Sequence, residues 1–216
     1  MVSGWLGTEK LIAERITLRP FTFDDAEQLA RVVDDPGPYR WTSGVPTDVG
    51  SARQWIEKAL ADPEYRVAYA VVDNDSGRIL GSTSFYEIDP ANLSTSIGYT
   101  YYATEVQGTT VNPTAKYLLL THAFEDCGAV RVVWHTHESN AQSRAAIAKL
   151  GATFEGLLRK HRRFGTGASG ATGDITEPGV ATRDTTGWRT TAQYAMTDDD
   201  WPAARAVLLG RMSGSP

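Results

Sequence analysis

The stretch Gln107-Gly108-Thr109-Thr110-Val111-Asn112, followed by Pro113, sets a loop of small and polar residues directly in front of a helix pattern. The side-chain oxygen of Asn112 can cap that helix. Pro113 suits its first position, where an amide hydrogen would have no partner anyway, and Gly128 can take the left-handed conformation that closes the far end. The last loop amides and the first unpaired helix amides then point one way, at the positive end of the helix dipole, which is how a backbone holds a phosphate. An anion site is expected here.

Other residues carry chemistry less openly. In the short helix starting at Asn140, Ser143 shares one face with Ala146, Ile147 and Leu150, so a hydroxyl sits in an apolar stripe. It either bonds a carbonyl one turn back or faces a ligand. Gly98 lies inside a strand pattern, where glycine marks a bulge or the close approach of another group. Glu155 alternates with Phe154 and Leu157 in a later strand. His135 and His137 fall on one face of a strand, but only four histidines exist and no Cys or carboxylate pattern completes a tetrahedron, so no metal is expected. The run Gly165-Thr166-Gly167-Ala168-Ser169-Gly170 satisfies GxGxxG formally. It lacks a strand before it and an apolar helix after it, so no dinucleotide site follows. The lone Cys127, without a cationic neighbour in sequence, reads as a packing residue.

The elements that must hold these residues alternate along the chain. Residues 16–19 form a short strand pattern, and Thr22 with Asp25 then opens a helix whose apolar face is Ala26, Leu29, Val32 and Val33, stopping before Pro36. The breaker-rich connection that follows carries Tyr39 and Trp41, which either cover the core edge or wall a pocket. Residues 48–61 repeat Val49, Ala52, Trp55, Ile56 and Leu60 at helical spacing. Two antiparallel strands, 66–73 and 78–88, join through Asn74-Asp75-Ser76-Gly77. Strand 94–102, helix 112–128, strand 130–136, helix 140–151 and strand 152–160 come next. Residues 164–187 have no period and read as a flexible loop. Strand 188–196 and a terminal helix from Thr197 or Asp200 complete the pattern, with residues 213–216 frayed.

With 216 residues, 41% of them hydrophobic and 22% charged, one well-buried domain spanning 1–216 is expected. A formal net charge of −5 argues against nucleic acid or an anionic membrane as the main partner, since such binding rests on neutralising phosphates with Lys and Arg. The basic run Arg159-Lys160-His161-Arg162-Arg163 then reads as a solvated or substrate-facing edge. A single cysteine excludes an intrachain disulfide, and no signal or membrane-spanning pattern is present, so a cytoplasmic setting is expected.

The motifs IGYTYY, QGTTVN, NAQSRAAIAKLGA and EGLLRKHRR resemble the RimJ/RimL type of GNAT N-acetyltransferase, with similarity across residues 12–163 and again 185–202. The resemblance implies an α+β (mixed αβ) fold with a twisted, mostly antiparallel sheet of about seven strands, splayed between its fourth and fifth, strands 94–102 and 130–136 here. It implies acetyl-CoA as donor co-substrate, no metal, and an amine acceptor, either a protein amino terminus or a small molecule such as an antibiotic or polyamine. A catalytically silent CoA-binding module is the rival, and a homodimer is admitted. The residues it assigns to CoA are Tyr101, Tyr102, Gln107, Gly108, Thr109, Thr110, Val111, Asn112, Asn140 and Ser143. Ser143 would lie near the sulfur as proton donor and Glu155 would act through water as general base, while Tyr39 and Trp41 would wall the acceptor pocket. Thr110 departs from the small residue usual in that loop, so its side chain would either crowd the phosphate or bind it.

Overall fold

The strands within residues 66–102 form the middle of a sheet, and consecutive residues over most of the first two are buried, so both of their faces are covered. The computed structural model describes residues 4–35, 39, 41, 44–163 and 187–213. Among them eight strands are present: β1 Leu11–Ile12, β2 Ile16–Pro20, β3 Arg66–Asp73, β4 Ile79–Asp89, β5 Ser94–Tyr102, β6 Arg131–His137, β7 Thr153–Arg163 and β8 Trp188–Thr197. They form one sheet in the order β1-β2-β3-β4-β5-β6-β8-β7. All neighbours are antiparallel except β5 and β6. The mixed αβ class holds, with one strand more than anticipated because Leu11 and Ile12 pair with Leu18 and Thr17.

The parallel pair determines where a ligand can enter. Ser94, Thr95 and Ser96 pair with Arg131, Val132 and Val133, and there the pairing stops, although β5 continues to Tyr102 and β6 to His137. Past that point, among the described residues, β6 is held only from its other edge, by β8 along all seven residues. The splay expected between these two strands is therefore present. A bulge sits beside it: Ser82 faces Tyr101 and Ser84 faces Gly98, so Tyr99 and Thr100 together oppose Thr83 alone, and Tyr99 takes a φ of 50°.

Among the described residues five helices flank the sheet: α1 Ala26–Leu29, α2 Val49–Leu60, α3 Val111–Thr121, α4 Ala141–Ala148 and α5 Trp201–Met212. Leu29 of α1, Ile56 of α2, Leu119 and Leu120 of α3 and Leu208 of α5 are all fully buried with Tyr69, Phe85, Ile97 and Met196 of the sheet. No helix of the described residues is long and apolar enough to cross a membrane.

Two helix boundaries differ from expectation. The pattern after Thr22 gives only one tight turn and the four-residue α1, then loosens into i+3 bonds from Arg31 to Gln28 and from Val32 to Leu29. The β-branched pair Val32-Val33, next to Asp34-Asp35-Pro36, favours leaving the helix, although both valines stay buried. At α3 the residue in the capping position is Thr110, so Asn112 lies in the first turn and caps nothing. The closing glycine is as expected, with Gly128 at φ 67° behind a π turn over His122–Asp126. The expected loop over 164–187 falls almost entirely outside the described residues, as do residues 36–38 and the tail from 214 onward.

Candidate functional site

A cavity of about 690 Å³ occupies the gap where β5 and β6 part. One end is built by the loop before α3. Thr104–Val106 makes a tight turn, Gly108 adopts φ 76°, and the Thr109 hydroxyl donates to the Val106 carbonyl at 2.7 Å. The amides of Gly108, Thr110 and Asn112 donate to no acceptor among the described residues. They are backbone donors left open at the start of an eleven-residue helix. Gln107, Gly108, Thr109 and Asn112 line the cavity, whereas Thr110 and Val111 do not, so the Thr110 side chain stays clear of it. The Asn112 side-chain oxygen is buried and, among the described residues, unpartnered.

Tyr39 couples this loop to the splayed strand. Its hydroxyl accepts from the Tyr102 amide at 2.9 Å and from Gln107 Nε2 at 3.0 Å, and donates to the Tyr102 carbonyl. Burial pushes its pKa up, so the phenol stays protonated. The Tyr102 backbone is thereby already engaged. Tyr101 and Tyr102 line the cavity, and their buried hydroxyls have no partner among the described residues. Trp41 lines it opposite, with its ring 4.3 Å from that of His137.

Across the gap, Asn140 Oδ1 accepts from the Ser143 amide at 3.0 Å and so starts α4. Asn140 and Ser143 both line the cavity, and the Ser143 hydroxyl has no hydrogen bond among the described residues. The local bond to a carbonyl one turn back is not made. Gly98, beside the bulge, is required by a close contact. A Cβ there would lie 2.7 Å from Cε1 of Tyr86, whose ring fills the space.

Glu155 is not brought to the cavity. A register shift between Phe154 and Gly156 opposite Gln193 turns it to the exposed side, where Arg131 binds both its oxygens at 2.8 and 2.5 Å. The hydrogen bond from Arg131 holds its pKa below the usual carboxylate range. A carboxylate so stabilised is a weak base, and the role of general base does not suit it.

Several cavity residues were not singled out from the sequence. Lys116 is buried with Nζ donating to Thr83 Oγ1 at 3.0 Å and Thr100 Oγ1 at 2.9 Å, and no carboxylate among the described residues joins it. Burial lowers its pKa to about 7. Its position four residues after Asn112 and three before Leu119, on the inward stripe of α3, was the available signal. At the opposite end stand Tyr86, His135, Arg162, Arg163 and Arg189, so part of the basic run does face the cavity. His135 and His137 have other partners than a metal: His135 meets Tyr86 and Gln193, and His137 accepts from the Ser139 amide at 3.0 Å. Among the described residues no group of three His, Cys, Asp or Glu stands together as a metal site would need.

Residues 15–153 match the family model described as an acetyltransferase (GNAT) domain. The sequence is 26% identical over 158 residues to the N-acetyltransferase p20 of Bacillus licheniformis, itself uncharacterized, covering 72% of this chain and 88% of that protein. It is 28% identical to YdaF of Bacillus subtilis (strain 168), provisionally named a ribosomal N-acetyltransferase, with 68% and 83% covered. Among solved structures, an acetyltransferase from T. thermophilus, named as such provisionally, superposes with a TM-score of 0.77 at 28% identity, over 94% of this chain and 97% of that one. RimJ of Mycobacterium smegmatis in complex with CoA-disulfide shares the fold at a TM-score of 0.67 and 22% identity, over 91% and 90%.

Proposed function

Because the chain belongs to the GNAT acetyltransferase family and is thus an acyltransferase, we propose that it moves the acetyl group of acetyl-CoA to a primary amine, the amino terminus of a protein as in the RimJ/RimL type. The observation that carries this reading is the parting of β5 from β6 after three paired residues, beside a helix-opening loop with unclaimed amides. The Gly108 and Asn112 amides would hold the diphosphate, and the gap would take the pantetheine arm. The orphaned Asn112 oxygen, the idle Ser143 hydroxyl and the unpaired β5 edge are polar groups for which such a ligand supplies partners.

Transfer requires a neutral amine, donors for charge that develops on the carbonyl oxygen, and a proton for the departing thiolate. The backbone of β5 around the bulge is suited to the second need and the Ser143 hydroxyl to the third. The cationic surroundings of Arg162, Arg163 and Arg189 speak against a polyamine as acceptor, since like charges would meet at the mouth.

Incubation with a series of acyl-CoAs and a panel of peptide and small-molecule amines, with free thiol recorded, tests the proposal. Amine-dependent thiol release with acetyl-CoA and peptides is expected, together with a melting point raised by the donor, because a ligand held only by the native state at a hundred times Kd adds about 2.7 kcal/mol. A melting curve unmoved by millimolar acetyl-CoA, with no heat in calorimetry, would overturn the donor. Thiol release with small amines alone would overturn the protein acceptor.

A further inference from the structure

Once the acceptor amine attacks, its proton needs a destination, and Glu155 is not in the cavity to receive it. One chain of hydrogen bonds does lead away from the cavity wall. Tyr86 Oη lies 3.2 Å from His135 Nδ1, His135 Nε2 lies 3.0 Å from Gln193 Oε1, Gln193 Nε2 lies 2.9 Å from Glu155 Oε2, and Glu155 is held by Arg131.

The direction of every link follows from its far end. Arg131 can only donate, so Glu155 is ionised and can only accept. Gln193 must then turn its amide nitrogen to Glu155 and its oxygen to His135. An amide oxygen only accepts, so His135 carries its hydrogen on Nε2. Its Nδ1 is therefore a bare lone pair, receiving the Tyr86 hydroxyl.

We propose that His135 takes the proton that the acceptor amine loses, relayed by the Tyr86 hydroxyl, and that Gln193, Glu155 and Arg131 are positioning residues that keep Nδ1 open. The step rests on the acetyl-transfer reading. As the amine nitrogen bonds the thioester carbon and the carbon–sulfur bond breaks with its electron pair on sulfur, the nitrogen gives its proton to the Tyr86 oxygen. The Tyr86 proton passes to Nδ1, and the imidazolium later releases it to solvent. The thiolate is protonated on its own side of the cleft.

The surroundings suit a group that is neutral at rest and charged briefly. Burial lowers the pKa of His135, Gln193 and Glu87 raise it, and Arg162 and Arg189 lower it again, with the net shift downward. His161, whose ring lies 5.0 Å away, adds no carboxylate. Among the described residues Glu87 is the one acid facing the ring, with Oε2 at 3.5 Å from Nδ1, the atom that would become positive. Glu87 is itself fixed by Ser96 at 2.8 Å and by Arg162.

The test begins on the ligand-free protein. Histidine 15N spectra at pH 7 should show His135 with hydrogen on Nε2, and Glu155→Gln, which lets the Gln193 amide turn over, should mix the two tautomers. In turnover, His135→Ala should lower kcat at least a hundredfold and erase the limb of the pH profile that rises below pH 6.5, with donor Kd unchanged. Glu155→Gln should lower kcat about fivefold to tenfold, an effect that a purely structural ion pair, felt only in melting, would not produce. Hydrogen on Nδ1 in the wild type, or full turnover by a folded His135→Ala variant, overturns the proposal. If instead the wild type releases no thiol with any amine, it is the acetyl-transfer reading that fails.

Discussion

The two ends of the cavity are built from different material. At the loop end the groups facing a ligand are backbone amides, held by a left-handed glycine, a tight turn and the start of α3, all within residues 104–113. At the other end they are side chains from three strands, Tyr86 of β4, His135 of β6 and Arg162 of β7, and each is aimed by a neighbour from another strand, His135 by Gln193 of β8 and Arg162 by Glu87 of β4. A backbone site depends on local chain conformation. A side-chain site depends on sheet register, so a change far from the chemistry can disable it. Substitutions should separate the two, those at the loop acting on donor affinity and those in the sheet acting on turnover.

The largest effect is expected at Gly98. A methyl group there must push the Tyr86 ring, which is packed edge-on against Tyr99 at 5.2 Å and bonded to His135. Overpacking of this kind costs about 1–3 kcal/mol of stability. Displacing Tyr86 should in addition lower kcat/KM about a hundredfold or more, since small misplacements of reacting groups carry losses of that order. Steady-state kinetics beside thermal melting measure both, and a Gly98→Ala enzyme with normal kcat would break the link between the Tyr86 ring and turnover.

Next comes Lys116, which lies between the two ends and titrates unlike a surface lysine. Its folded pKa of about 7 stands well below the unfolded value. Below pH 7 both states are protonated and the folded state bears the whole cost of a buried ammonium. Between pH 7 and about 10 only the unfolded state holds the proton, so stability climbs with pH, and above that range the cost is gone. Lys116→Met should therefore stabilise the protein by about 2–3 kcal/mol at pH 6 and by little at pH 10. Denaturant titrations at the two pH values check the sign. An equal shift at both would mean that the amine is not neutralised on folding.

The same contrast explains what the sequence revealed. The loop, the closing Gly128 and the interior Gly98 were legible because each is a short-range signal tied to a backbone requirement, whereas the splayed strand pair came from the family resemblance alone. The capping residue was misplaced by two positions: Asn112 is the better cap by residue type, but α3 opens at Thr110, which makes no side-chain cap bond, so residue preference alone does not locate the start. Glu155 looked catalytic from its motif, but a one-residue bulge opposite Gln193 changes the side to which it points, and no local pattern announces a bulge. His135 and Gln193 are 58 residues apart, so their contact depends on a β6–β8 register that the sequence does not spell out.

A smaller effect is expected at Ser143, whose hydroxyl is idle at the cavity wall. Ser143→Ala should be neutral or slightly stabilising, because Ala is the better helix former. If the hydroxyl supplies the thiolate proton, kcat should fall about tenfold, the low end of a general-acid effect because water can substitute. Donor Kd should hardly move. An unchanged kcat where chemistry limits the rate would remove Ser143 from the reaction and leave it as a wall residue.

The smallest effect, and the cleanest separation of the two ends, is expected at Gly108. Its φ of 76° is one that an alanine adopts at a cost of about 1 kcal/mol, while a Cβ at this position meets nothing within 4 Å. Gly108→Ala therefore keeps the amide and adds no clash inside the protein, so the strain is either borne as a loss of stability of about 1 kcal/mol or relieved by a turn of the amide. A turned amide should weaken acetyl-CoA binding about fivefold, the equivalent of one imperfect hydrogen bond to a charged group. Turnover at saturating donor and KM for the amine should stay at their wild-type values if, as proposed, the amine binds at the end that sheet register positions and not at this loop. Isothermal calorimetry with acetyl-CoA, set beside kcat and acceptor KM, makes the comparison. A Gly108→Ala protein that binds the donor normally but turns over slowly would show that the two ends are mechanically joined, with Tyr39 and its bonds to Gln107 and Tyr102 as the connection to examine.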